Sequence, residues 1–276
     1  MLRCIAAAGA ALLVMTGIAS AYDISPQERV GNKAGHDTIR TVEPQLHIVR
    51  GGATSPQVAL TLDACMGRAD HRILDMLVQH RIPATIFVTG RWIKQNPAAM
   101  AVLKANADLF DIENHGAMHI PAITNEPRMY GIKTAGSLEA VNREIDGGAI
   151  AITDAGVSKP VWYRDATARY STDAVKLATS LGYKIGGYSL NGDQGASLRA
   201  STVERRIAAA RDGDVIISHI NQPTRSAGEG VAKGVLALKA KGMKFVRLKD
   251  VETTMTLNPV APHNLQAGVP KPRHRN

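Results

Sequence analysis

Val58-Ala59-Leu60-Thr61-Leu62-Asp63 is a short apolar run that closes on a carboxylate. Successive side chains of a strand point to opposite faces, so Val58, Leu60 and Leu62 share one face and Thr61 and Asp63 the other. The first face suits a layer of helices. The second ends in a charge, which is costly to bury unless it finds a partner. Asp63 is therefore a helix N-cap, half of a buried ion pair, or a reactive group, and the last reading carries the most weight.

Similar runs recur along the chain. With Val58–Cys65 they are Thr85–Thr89, Leu109–Asn114, Val161–Arg164, Ile185–Leu190, Val215–Ile220 and Lys244–Leu248. Helix-like segments lie between them, near 70–80, 97–106, 137–152, 172–181, 201–211 and 229–240. Asn96-Pro97 and Ser201-Thr202-Val203-Glu204 mark starts, the latter as a capping box, and Gly182 and Gly242 mark stops. Strands alternating with helices predict a parallel α/β architecture with right-handed crossovers. An open doubly wound sheet and a closed or nearly closed barrel both fit. No Gly-x-Gly-x-x-Gly follows the first strand, which weighs against dinucleotide binding.

The flanks carry a different message. Residues 1–21 hold one early cation, Arg3, an apolar run from Cys4 to Ile18, and the small-x-small site Ala19-Ser20-Ala21. This pattern predicts an export signal, with the mature chain starting at Tyr22 in the periplasm or outside the cell. The run is shorter than the roughly 20 residues that span a bilayer, so no stable membrane anchor is expected. Residues 22–55 read as an N-terminal extension on a main body at 56–252, and 253–276 as a basic, proline-containing disordered tail. Lys and Arg outnumber Asp and Glu by 33 to 24, a net +9 that favours polyanions. Export turns that charge towards anionic glycan or envelope rather than nucleic acid, and solubility alone explains it equally well. Once Cys4 is removed Cys65 stands alone, so no internal disulfide is possible.

In parallel α/β folds reactive groups gather at the carboxyl ends of strands. There the chain places Asp63, His115 and His119, Arg164, Asp193 and His219. Two histidines four apart share one face if the segment turns helical, and both can then reach one metal ion. Taken singly, His219 suits a structural role as well as a catalytic one, and Arg164 or Asp193 suits half of an ion pair. Their convergence from five strands points to an enzyme.

With these residues in order the chain resembles the polysaccharide deacetylases, the family-four carbohydrate esterases. Thr61-Leu62-Asp63-Ala64-Cys65 matches the family's Thr-Phe-Asp-Asp-Gly, and His115-Gly116-Ala117-Met118-His119 its His-x-x-x-His. Tyr163-Arg164 resembles the arginine motif, Asp193 its partner acid, and Ile217-Ser218-His219 the late apolar-x-His. The resemblance covers about Gln57 to Leu248. It implies a distorted (β/α) barrel of about seven parallel strands that removes acetyl groups from chitin-like or peptidoglycan-like glycans with a divalent metal, usually zinc. It further implies Asp63 as general base and His115 and His119 as metal ligands. His219 would be the general acid, with Arg164 orienting Asp63 and Asp193 supporting Arg164.

Two departures stand out. The family's metal-binding second aspartate is Ala64 here, which leaves two obvious ligands. Cys65 or Glu113 is a possible third, although a buried apolar filler is the commoner role for such a cysteine. Asp165-Ala166 stands where the family has prolines. The vacancy at Ala64 also fits a glycan-binding pseudoenzyme. The scarcity of rings (three Phe, two Trp, six Tyr) keeps open a small non-glycan amide as substrate.

Overall fold

The computed structural model describes residues 38–50 and 54–261. The expected signal segment and the end of the tail lie outside them. The chain opens with β1 (Thr41–Ile48), β2 (Gln57–Ala64), α1 (His71–Gln79), β3 (Ala84–Val88), α2 (Gly90–Gln95), α3 (Pro97–Ala105) and β4 (Phe110–Asn114). A small hairpin, β5 (Arg128–Met129) and β6 (Ile132–Lys133), precedes α4 (Leu138–Asp154), β7 (Trp162–Tyr163), β8 (Tyr170–Ser171) and α5 (Thr172–Ser180). Then come β9 (Lys184–Ile185), β10 (Leu190–Asn191), α6 (Ala200–Ala208), β11 (Val215–His219), α7 (Ala227–Ala240), β12 (Lys244–Val246) and β13 (Thr253–Pro259).

The main sheet is wholly parallel, in the order β10-β11-β2-β3-β4-β7-β9, with β12 also on β2. The run expected as one strand, Ile185–Leu190, is instead two: β9 ends one edge of the sheet and β10 begins the other. An extended chain covers at most about 3.6 Å per residue, so residues 186–189 can join those edges only if the sheet curls on itself. Bonds from Gly186 N–H to the Tyr163 carbonyl and from Ser189 N–H to the Val215 carbonyl tie the join to both sides. The passage is tight. A Cβ on Gly186 would lie 2.8 Å from the Phe87 ring, and one on Gly187 2.4 Å from the Pro44 carbonyl.

Strand alternation in β2 is as expected. Val58, Leu60, Leu62 and Ala64 pack with Ile73, Leu74 and Leu77 of α1 and Val231, Val235 and Leu238 of α7. Burying each such leucine, isoleucine or valine is worth about 1.5–3 kcal/mol. Ala59 faces the barrel interior, where Phe87, Trp162, Val215 and Leu46 and Ile48 of β1 surround it.

Two further expectations are corrected. The 253–276 segment is not all disordered: its first seven residues form β13, paired antiparallel with β1 from Thr253–Ile48 to Pro259–Val42. A strand partner supplied by the N-terminal extension satisfies its backbone groups, which composition alone does not reveal. Ser201 does not cap α6, whose N-cap is Arg199 and lacks a side-chain bond. Among the described residues no helix is long and apolar enough to cross a membrane.

Candidate active site

Asp63 is the last interior-facing residue of β2, level with His219 on β11. Its Oδ1 accepts a 2.8 Å bond from Arg164 Nη1. Arg164 is fully buried directly after β7, and its other donors are also used: Nε to the Gly186 carbonyl, Nη1 to Thr61 Oγ1, and Nη2 to the Gly187 carbonyl. The guanidinium lies 4.1 Å from the centre of the Phe87 ring. A buried ion pair is tolerable when its remaining hydrogen-bonding groups are met in this way. Burial by itself would push the Asp63 carboxyl up. Arg164 above all, with His115 and His219, outweighs it and leaves the value below the ordinary 3.8.

His115 follows β4 with its ring fully buried. Its Nδ1 donates to the Arg164 carbonyl at 2.9 Å, which leaves Nε2 facing Cys65 Sγ at 3.4 Å and Asp63 Oδ2 at 3.8 Å. A backbone acceptor on one ring nitrogen is the usual device for aiming the other at a metal. The His119 ring lies 5.1 Å from that of His115, and neither of its buried nitrogens has a hydrogen-bond partner. Polar atoms buried without partners are rare and call for a reason. Ligand atoms of Cys65, His115 and His119 all lie within 4.8 Å of one another.

The two histidines meet, but not on a helix. The chain turns through Gly116 at φ +86° and reaches His119 at φ +68°, a left-handed conformation that L-residues other than glycine seldom adopt.

Cys65, the residue after β2, supplies the third donor. Burial raises its thiol, but the charges of His115 and His119 prevail and hold it well below the ordinary 9.0. His115 moves the opposite way. Burial lowers it, while Asp63 and Cys65 raise it to about 9. Thiol and imidazole thus each favour the charged form of the other.

Glu113, the other possible ligand, is not brought to this cluster. Its Oε2 accepts from the Val161 and Trp162 amides at 2.8 and 2.7 Å, towards the amino end of β7. There, with Asp111 and Lys249, it lines a cavity of about 330 Å³. Burial and the neighbouring Asp111 push its carboxyl up to about 8.

Asp193 also differs from expectation, for it backs His219 rather than Arg164. Its Oδ1 meets His219 Nδ1 at 2.9 Å and its Oδ2 accepts from the His219 amide at 2.8 Å. Topology is the reason, since Asp193 follows β10, the neighbour of β11, whereas Arg164 follows β7 across the barrel. Burial would lower the His219 pKa, but the Asp193 charge and hydrogen bond carry it well above 6.5.

Ala64 lies outside the cluster. β2 continues through it, paired with Val88, and its side chain joins the apolar layer between sheet and helices. Asp165, where prolines were expected, accepts from the Ala122 amide, the Thr167 amide and hydroxyl, and the Arg169 amide. It ties the β7–β8 connection to the segment just beyond His119. Sequence reasoning missed Glu144, which touches that turn directly. The signal was a glutamate on the buried stripe of α4 with Val141, Ile145, Gly148 and Ile152.

A family model described as polysaccharide deacetylase matches residues 50–186, a span that stops short of Asp193 and His219. A chitooligosaccharide deacetylase from Rhizobium leguminosarum bv. trifolii is 28% identical over 183 residues, 64% of this chain and 77% of that one. The peptidoglycan-N-acetylmuramic acid deacetylase PdaA of Bacillus subtilis (strain 168) is 24% identical over 187 residues, 65% of each chain. Among solved structures, a CE4 family pseudoenzyme from Bacillus anthracis superposes with a TM-score of 0.57 at 20% identity, covering 72% of this chain and 66% of that one. The chain thus spans about two thirds of the length of these last two. The structural likeness establishes the shared barrel fold.

Proposed function

The chain belongs to the polysaccharide deacetylase family, and from that premise we propose that it is an exported, metal-dependent hydrolase that removes acetyl groups from an N-acetylated polysaccharide or oligosaccharide. One observation carries the reading: three metal-donor side chains, one with both ring nitrogens unbonded, converge beside a carboxylate held ionised.

The donor set suits zinc, which takes cysteine sulfur and histidine nitrogen and, in catalytic sites, uses three protein ligands and keeps a position open. Cys65, His115 and His119 would hold it. Such an ion would polarise the acetyl carbonyl and lower the pKa of a water molecule. Around it the chain's own groups divide the proton work. Asp63, kept ionised and aimed by Arg164, accepts the proton of the attacking water. His219, kept protonated by Asp193, donates to the departing nitrogen as the C–N bond breaks, giving acetate and the free amine. The names of the relatives support a glycan with N-acetyl groups as partner.

The test is to measure bound metal and acetate release together. Purified chain should carry near-stoichiometric zinc, release acetate from chitooligosaccharide or peptidoglycan fragments, and lose that activity to a chelator. A chain with zinc and glycan affinity but no acetate release would instead support binding without turnover. Because His115 holds its proton up to about pH 9, zinc binding at pH 7 should release about one proton. Calorimetry in buffers of different ionisation enthalpy measures it.

The pH profile gives a further expected result. Activity needs Asp63 ionised and His219 protonated, so the acid limb should lie at or below the ordinary carboxylate range and the alkaline limb above 6.5. In Asp193→Asn a neutral amide no longer supports the imidazolium, and burial lowers the His219 pKa. The alkaline limb of kcat/KM should then move to lower pH. An unmoved limb would remove His219 from the acid role.

A further inference from the structure

His119 occupies a left-handed conformation that is unfavourable for a non-glycine residue and persists only where the surroundings impose it. The amides on either side of it show what imposes it. Met118 N–H and Ile120 N–H both donate to a single oxygen, Oε1 of Glu144, at 2.8 and 3.1 Å. Glu144 is buried on α4, 26 and 24 residues away along the chain, and its own carbonyl accepts from the Ala117 amide. One carboxylate therefore draws together the amides of the two residues that flank the histidine.

The rest of α4 is shaped for this grip. A Cβ on Gly148 would fall 2.1 Å from Asn114 Oδ1 and 2.7 Å from the Gly116 carbonyl carbon, and one on Gly147 2.8 Å from Ala117 Cβ. Two consecutive glycines let the helix approach within backbone contact of the turn. Asn114 completes the join, accepting from the Gly116 amide and donating to the Ile145 carbonyl. Gly116 is confined as well, since a Cβ there would lie 2.5 Å from Glu144 Oε1.

We propose that Glu144 is the positioning residue of the metal-binding turn: by bonding the amides of Met118 and Ile120 it presents the His119 ring to His115 and Cys65. The inference rests on the metal reading above and adds to it. Glu144 touches neither metal nor substrate. It acts through the backbone, and what matters is the reach and the acceptor capacity of its oxygen. Glutamine retains both, aspartate is one methylene too short, and alanine has neither.

The test titrates the metal-free full chain and its Glu144→Gln, Glu144→Asp and Glu144→Ala variants with Co²⁺, following the sulfur-to-cobalt absorption band. Amide hydrogen exchange of Met118 and Ile120 is measured on the same samples before metal is added. Loss of an outer-shell partner typically weakens metal binding about 10–100-fold. Glu144→Asp and Glu144→Ala should show a loss of that order together with faster exchange at both amides, and Glu144→Gln should stay near wild type in both. Wild-type affinity and wild-type exchange in Glu144→Asp would overturn the proposal, even if Glu144→Ala fails to fold. A wild-type chain that binds no cobalt would instead sink the metal reading. The exchange rates would then decide by themselves whether Glu144 holds the turn.

Discussion

Asp63→Asn should reduce acetate release by about 10²–10⁴-fold, the usual worth of a general base, while zinc is retained. The amide oxygen can still accept from Arg164 Nη1, and the other donors of the guanidinium keep their partners at Thr61, Gly186 and Gly187. The curled sheet therefore keeps its shape, although a buried guanidinium without its counter-charge lowers the melting temperature. Metal binding should not weaken, because Asp63 is the largest charge holding a proton on His115, and its removal makes that nitrogen easier to vacate. The measurements are kcat with acetate detection and metal content after dialysis. A variant that loses zinc along with activity would make Asp63 a ligand rather than the base.

The second large effect separates two neighbours. Cys65→Ala should cost more zinc affinity than the 10–100-fold typical of an outer-shell change, because it leaves only His115 and His119. Ala64→Asp, which restores the family's carboxylate in sequence, should not tighten zinc. The new charge would enter the apolar layer shared with Leu62, Ile73 and Val88. An unpaired buried charge is among the few causes of destabilisation beyond 4–5 kcal/mol, so the variant should melt far below wild type or fail to fold. Zinc titration and thermal melting of both variants provide the check. Tighter zinc in Ala64→Asp would mean that the strand ends at Asp63 and Ala64 faces the ion.

These expectations divide along the line between local and long-range information. The alternation in Val58–Asp63 marked the helix-facing and interior residues of β2 because the two-residue period is a property of the strand itself. The helices near 71–79, 97–105 and 172–180 were equally readable from their own segments, the second helped by Asn96-Pro97 at its start and the third by Gly182 past its end. The candidate residues at strand ends were found for the same reason, since in a parallel sheet the end of a strand is a place in space as well as in sequence.

By itself, then, the sequence determined the parallel α/β character, the helix- and barrel-facing sides of β2, and the residues Asp63, His115, His119, Arg164 and His219 as a group at one end. The tertiary structure alone decided the rest. It curled the sheet by splitting 185–190 between opposite edges, paired β13 with β1, sent Asp193 to His219, turned Glu113 towards β7, and put Cys65 rather than Ala64 beside the histidines. Each depends on contacts between residues far apart in the chain, and the left-handed His119 depends on a glutamate 25 residues downstream. A local pattern records which way a side chain leaves its own strand. It holds no record of what another segment brings to meet it.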